Sequence, residues 1–376
     1  MLLLLFAGCA SSPAERSATQ TSNSFTYQNP IRQGINPQGL RDCQVFWDGG
    51  YWYLTGTSYP HWSRQESGPE SYNKGVVLYR STDLLTWEDR GYVVKAGGAD
   101  KWYHRRFWAP EIHRIGGKYY ALFNARNDSL GYASQFTGYA VADQVEGPYT
   151  VVTEDQPLTN GNDLTFFEDD DGKVWAFWNR GREFGIGFAE IDLATATLKT
   201  EPTTAIQPAA VDFAYDASGQ PVLEPNYDGT SMKPKVAKYH DWDAIGIEGA
   251  YVIKEKDTYY LFYSSWTRGY EIGYASAPAI TGPWTKAENN PFYGAQSEAA
   301  TAKNGFAYTG DADSPFNQVG HNEIFLGPDG RYWLSCHGIL KAEGEEAPLL
   351  VIDPLTIQDG KVTAQGPTYT PQTVKW

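Results

Sequence analysis

A Gly/Asp turn followed by an aromatic-rich strand occurs five times in this chain. The copies open Asp48-Gly-Gly-Tyr-Trp-Tyr, Gly116-Gly-Lys-Tyr-Tyr-Ala, Asp171-Gly-Lys-Val-Trp-Ala, Lys256-Asp-Thr-Tyr-Tyr-Leu and Asp329-Gly-Arg-Tyr-Trp-Leu. A short apolar run precedes each turn, and an ionisable residue heads each run: Asp42, Glu111, Asp163, Glu248 and His321. Repetition at a period of several tens of residues marks solenoids and propellers. Five β-repeats that each begin with a polar side chain at the same place predict an all-β, five-bladed β-propeller. The five side chains then converge on its axis.

The rest of the chain fits that reading. Further short strands follow each copy, separated by Gly, Asp and Pro, and no long amphipathic helix is legible. Blade starts fall near residues 40, 108, 161, 246 and 319, so residues 25–376 form one propeller without a second domain. Three segments exceed what a blade needs: 59–74 with His61 and Trp62, 201–244 with Tyr227, His240, Asp241 and Trp242, and 287–318. Long connections in a compact fold are usually functional or disordered, and these are placed to wall a central pocket.

Residues 1–24 read as a lipoprotein-type signal and tether. Met1-Leu-Leu-Leu-Leu-Phe-Ala-Gly-Cys9 is too short to span a bilayer and ends on a cysteine that lipidation could use; an ordinary secretory signal is the alternative. Both put the protein outside the cytoplasm, with a membrane contact only through a lipid on Cys9. Cys43 and Cys336 make no disulfide framework; they are expected as buried free thiols, although first and last blades are neighbours in a ring and a bond between them is conceivable.

A net charge of −15 without a Lys/Arg run argues against a nucleic-acid partner. Aromatics are 15% of residues, with 13 Trp and 26 Tyr. Most should pack between strands; the remainder suit sugar rings, whose C–H faces are apolar. Carboxylates gathered in one pocket are what glycoside hydrolysis uses: one protonates the leaving oxygen, another activates water or attacks directly, and a third holds the acid's pKa up. The acidic run Asp169-Asp-Asp171 sits at a hairpin tip and reads as solvated turn residues rather than a metal site.

In this order the motifs resemble glycoside hydrolase family 43: Arg41-Asp42 after Asn29-Pro30, Trp108-Ala-Pro-Glu111, Asn162-Asp163 before Phe167-Glu-Asp-Asp-Asp-Gly172, Glu248-Gly249 before Tyr259-Tyr-Leu-Phe-Tyr-Ser264, and Gly320-His321-Asn322. The resemblance covers residues 25–345. It implies a five-bladed propeller and inversion at the anomeric carbon, with Asp42 as general base, Asp163 as pKa modulator and Glu248 as general acid. It also implies that His321 is the axial histidine near a Ca2+ or its waters, otherwise with no cofactor. Cys43 stands where the family usually has Pro after the base, and Glu111 has no role in the implied triad.

The expected function is an exo-acting inverting hydrolase releasing L-arabinofuranose or D-xylose from plant or algal oligosaccharides. Phe107, Trp108, Trp242, Trp266, Arg268 and His337 are expected to line its pocket. The alternatives are a carbohydrate-binding propeller without catalysis and a glycosidase of the same fold with another specificity, such as a galactosidase or galactanase.

Overall fold

The computed structural model describes residues 23–61, 71–225, 231–343 and 347–376. Cys9, Trp62 and Tyr227 lie outside the described residues. Five antiparallel blades surround an axis. Their inner strands are Leu40–Asp48, Arg105–Ile115, Asn162–Glu168, Glu248–Glu255 and Phe316–Leu326, each paired to the aromatic strand that follows its turn. The predicted propeller is therefore the observed one. Blades four and five share a sheet, because Tyr293–Gln296 pairs with Gly269–Ala277 on one side and bridges Ala295 to Val319 on the other.

Strand alternation explains the aromatic wealth. Successive side chains of a strand point to opposite faces, and in a propeller both faces of a blade meet a neighbour. Thus Trp52 and Leu54 pack towards Phe325 and Trp333 of blade five, while Tyr53 packs towards Ile112 and Phe123 of blade two. The buried side chains fall into five such clusters, one per blade junction.

No strand of blade one is borrowed to complete blade five. The ring closes instead through the segment before blade one. Ser24–Tyr27 pairs with Gln372–Lys375, and Ile31 bridges Leu350. The buried Asn29 amide acts as a surrogate strand: its Nδ2 donates to the Ile352 carbonyl (2.8 Å) and its Oδ1 accepts the Ile352 N–H (3.0 Å). Cys43 and Cys336 are both buried free thiols.

The three long segments all leave from the end where inner strands begin. Ser58 pairs with Leu40, Ile206 with Ile186, and Gln296 with Gly269, so each continuation emerges at the channel mouth. Segment 201–244 carries two short hairpins, Val211–Phe213 with Val236–Tyr239 and Leu223–Pro225 with Met232–Pro234. Among the described residues, no helix is long and apolar enough to cross a membrane.

Candidate active site

Every inner strand breaks register at the same place. Pairing lapses between Arg41 and Gln44, Trp108 and Glu111, Asn162 and Thr165, Glu248 and Tyr251, and Gly320 and Glu323. A β-bulge of this kind re-aims side chains and is common beside active sites. In each bulge the residue after the last paired one has positive φ: Asp42 (55°), Ala109 (41°), Asp163 (57°), Gly249 (62°) and His321 (59°). Four of these are not glycine, a conformation that costs about 1–2 kcal/mol for an L-residue. The five-fold position therefore corrects the expected one in two blades. Ala109, not Glu111, is the second blade's equivalent, and Glu248 precedes the equivalent Gly249 by one residue.

The strain is held by side chains from the preceding blade. The Asp42 N–H donates to His337 Nδ1 (3.0 Å), Ala109 N–H to Thr57 Oγ1 (2.7 Å), Asp163 N–H to Asn124 Oδ1 (3.1 Å) and His321 N–H to Ser264 Oγ (2.9 Å). His337, Thr57, Asn124 and Ser264 occupy matching places, opposite the last paired residue before each bulge. At the remaining junction Asp163 itself takes this part, its Oδ2 accepting the Gly249 N–H (3.1 Å). Gly249 is needed for a second reason: a Cβ there would stand 3.3 Å from the His321 ring.

The carboxyl groups gathered at the mouth have separate environments. Asp42 accepts from Thr57 Oγ1–H (2.6 Å) and lies 3.4 Å from His321 Nδ1. Burial alone would raise its pKa, but His321, Arg41 and the Thr57 hydroxyl hold it well below the usual carboxylate range. Asp163 is raised, by burial first and by Asp42, against the pull of His321. Glu248 is pushed up to about 7, by burial, then by Asp163. Its Oε1 accepts from Tyr270 Oη–H (2.7 Å). Burial opposes charge on His321, yet Asp42, Asp163 and Glu248 together raise its pKa above the ordinary imidazole value. His337 is the reverse: burial and Arg41 hold it well below its ordinary value, and its Nδ1 serves as acceptor for the Asp42 N–H. The site thus sets one carboxyl below and another above the usual range, the kind of split by which one pocket can supply a base and an acid at the same pH.

The chain matches the family model for glycosyl hydrolases family 43 across residues 27–362. It belongs to that family. The probable arabinan endo-1,5-alpha-L-arabinosidase A of Emericella nidulans is 25% identical over 218 residues, 55% of this chain and 55% of that protein. The extracellular endo-alpha-(1->5)-L-arabinanase 2 of Bacillus subtilis is 26% identical over 309 residues, 71% of this chain and 58% of that protein. The chain thus spans little more than half the length of these two relatives. A thermostable family-43 glycoside hydrolase of known crystal structure superposes with a TM-score of 0.67 at 24% identity, covering 92% of this chain and 98% of that one.

The other residues expected to line the family-43 pocket divide. Trp108 stands at the mouth, half-buried, with its indole N–H donating to the His61 carbonyl (2.8 Å) and Arg106 over its face at 4.0 Å. Trp266 is 40% exposed at the rim and rests on Gly246. Arg268 makes a two-pronged pair with the buried Glu271 (2.8 and 3.0 Å). Phe107 and Trp242 are buried in the core. Phe107 is fully buried against Phe123, and Trp242 is stacked on Tyr263 between blades three and four. Both side chains point into a blade junction, where an aromatic serves the core. Sequence reasoning missed Tyr270, Asn124, Thr57 and Ser264. The signal was available for the last three, since each aromatic strand ends on a polar residue at the same place.

Ca2+ on the axis fits these residues poorly. Asp163, Glu248 and His321 offer ligand atoms within 4.8 Å of one another. Ca2+ takes six to eight oxygens, whereas this trio supplies only two carboxyls and a ring nitrogen. Asp170 and Asp171 are exposed at their hairpin tip.

Proposed function

We propose that this protein is an exo-acting, inverting glycoside hydrolase that releases L-arabinofuranose, or D-xylose, from the ends of oligosaccharides outside the cytoplasm. Asp42 is the general base, Glu248 the general acid, and Asp163 keeps the acid protonated. The observation that carries this reading is the split between two neighbouring carboxyl groups: Asp42 lowered beside His321, Glu248 raised to about 7 beside Asp163. Atoms His321 Nδ1 and Tyr270 Oη bridge from Asp42 to Glu248 in steps of 3.4, 3.1 and 2.7 Å. That path limits how far apart the two carboxyls can lie and does not exceed the ~9.5 Å upper end of the spacing of an inverting pair. The arabinan-degrading relatives support an arabinofuranosyl substrate. Both relatives are named as endo-acting enzymes. The three long segments leave from the mouth, and a mouth walled by them would admit a chain end more readily than a chain middle, which favours exo action here. The Bacillus subtilis relative's description as extracellular supports the location.

Digestion of linear α-1,5-arabino-oligosaccharides and of nitrophenyl arabinofuranoside and xyloside tests this reading. Monosaccharide as the first product is expected, with Asp42→Asn losing roughly 10²–10⁴-fold in kcat while staying folded. Internal fragments as first products would make it endo. Near-normal turnover by Asp42→Asn would remove that residue as base, and no hydrolysis by the wild type would favour a binding propeller.

A further inference from the structure

Tyr270, on the third strand of blade four, carries the one buried hydroxyl among the described residues that touches both the axial histidine and the raised carboxyl. We propose that Tyr270 is a positioning residue that fixes which oxygen of Glu248 carries the catalytic proton and ties the acid to the base side of the pocket; this rests on the hydrolase reading above.

The geometry gives the hydroxyl a direction. Tyr270 Oη lies 2.7 Å from Glu248 Oε1 and 3.1 Å from His321 Nδ1. His321 Nδ1 faces Tyr270 Oη and, 3.4 Å away, Oδ1 of the Asp42 carboxylate, which can only accept, so Nδ1 carries an N–H aimed at these two oxygens. The hydroxyl proton is then free to go only to Glu248 Oε1. A carboxylic acid that accepts at Oε1 carries its own proton on Oε2. In the reaction that proton passes from Oε2 to the glycosidic oxygen as the C–O bond to the anomeric carbon breaks. Water forms the new C–O bond and gives its proton to Asp42. Glu248 is left as a carboxylate, and Tyr270 keeps its own proton and continues to donate to Oε1. The same bond therefore serves the acid before transfer and the anion after it, and it is stronger to the anion.

The ring is held independently of that bond. Tyr270 is 2% exposed and stands 5.4 Å, centroid to centroid, from His337, the clamp on Asp42. Gly320, just before the axial histidine, leaves the space it fills: a Cβ there would fall 2.5 Å from Tyr270 Cγ. The charged and titratable groups around it and around Glu248 are Glu248, Asp42, Arg41, Asp163, His321 and His337.

Tyr270→Phe keeps the ring and removes the hydroxyl. Its pH–rate curve should move its alkaline limb upward by about one unit, because the carboxylate of Glu248 loses a donor. Turnover of arabino-oligosaccharides should fall roughly 10- to 100-fold, with a smaller loss on nitrophenyl glycosides, whose leaving group needs little protonation. Gly320→Ala, which retains the hydroxyl but displaces the ring, should move the limb in the same direction. An unmoved limb in Tyr270→Phe, or equal losses on both substrates, would overturn the proposal. Glu248→Gln run alongside separates the two levels of the argument. If it too ignores the leaving group, then Glu248 is not the acid, and both the proposed function and the part given to Tyr270 fall.

Discussion

Asp163 touches the reaction only through its neighbours, yet three features of the site depend on it. Its Oδ2 holds the Gly249 N–H, its charge raises Glu248, and it helps to raise the pKa of His321. Removing its charge makes Glu248 easier to ionise, so the pKa of Glu248 falls. Asp163→Asn should therefore move the alkaline limb of the pH–rate curve to lower pH, the opposite direction from Tyr270→Phe, as a pH series on a nitrophenyl glycoside would record. The acid limb, set by the depressed Asp42, should stay in the strongly acid range. A uniform scaling of the curve would mean that Asp163 acts through structure alone. At this scale the sequence was informative: Asp42, Asp163, Glu248 and His321 were legible as polar heads of apolar runs. Tyr270 was not, because a tyrosine among many aromatics carries no mark of its hydrogen bonds.

The bulged inner strand is the element that turns a packing repeat into a site. Its positive φ cannot be read from the chemistry of the side chain, which is why Ala109 went unseen and Glu111 was assigned its place. Glu111 in fact belongs two residues further along, in a second ring with Gln44, Thr165, Tyr251 and Glu323. Asn124 shows what the clamps do. It accepts the Asp163 N–H and donates to Asp163 Oδ1 (3.3 Å) while fully buried. Asn124→Ala leaves a buried N–H unpaired and should cost about 1–3 kcal/mol, read from urea unfolding; an unchanged midpoint would mean the bulge is stable without it. The second ring makes a different prediction. Glu323 is raised well above an ordinary carboxyl by burial and by the charge and hydrogen bond of Glu111. A raised folded pKa means that the folded state binds the proton more tightly, so this stability is present at low pH and is lost as pH rises through the folded value. Glu323→Gln, which keeps a donor and cannot ionise, should unfold at a higher temperature than the wild type in alkaline buffer, and the gap should close as the buffer is acidified.

As a whole molecule, the propeller is a ring whose last joint is made by a short segment. Asn29 clamps Ile352, and Tyr27 Oη–H donates to the buried Asp353 (2.7 Å), which also accepts from Tyr293 (2.6 Å). Asn29→Ala should destabilise by about 1–3 kcal/mol and broaden the thermal transition if blades one and five part before the rest; an identical melt would locate closure in the apolar junction alone. The number of blades and their order were legible because each repeat carries its own turn and aromatic strand. The joint was not, since Asn29 acts across 323 residues of chain and no local pattern announces such a contact. The central claim about the whole molecule is that an acid and a base on separate blades act together on one water. The most direct test is 1H NMR of the first sugar released from an arabino-oligosaccharide, recorded before mutarotation. The account predicts the inverted anomer; the retained anomer would contradict it, because it requires a covalent intermediate that Asp42, acting as base, does not form.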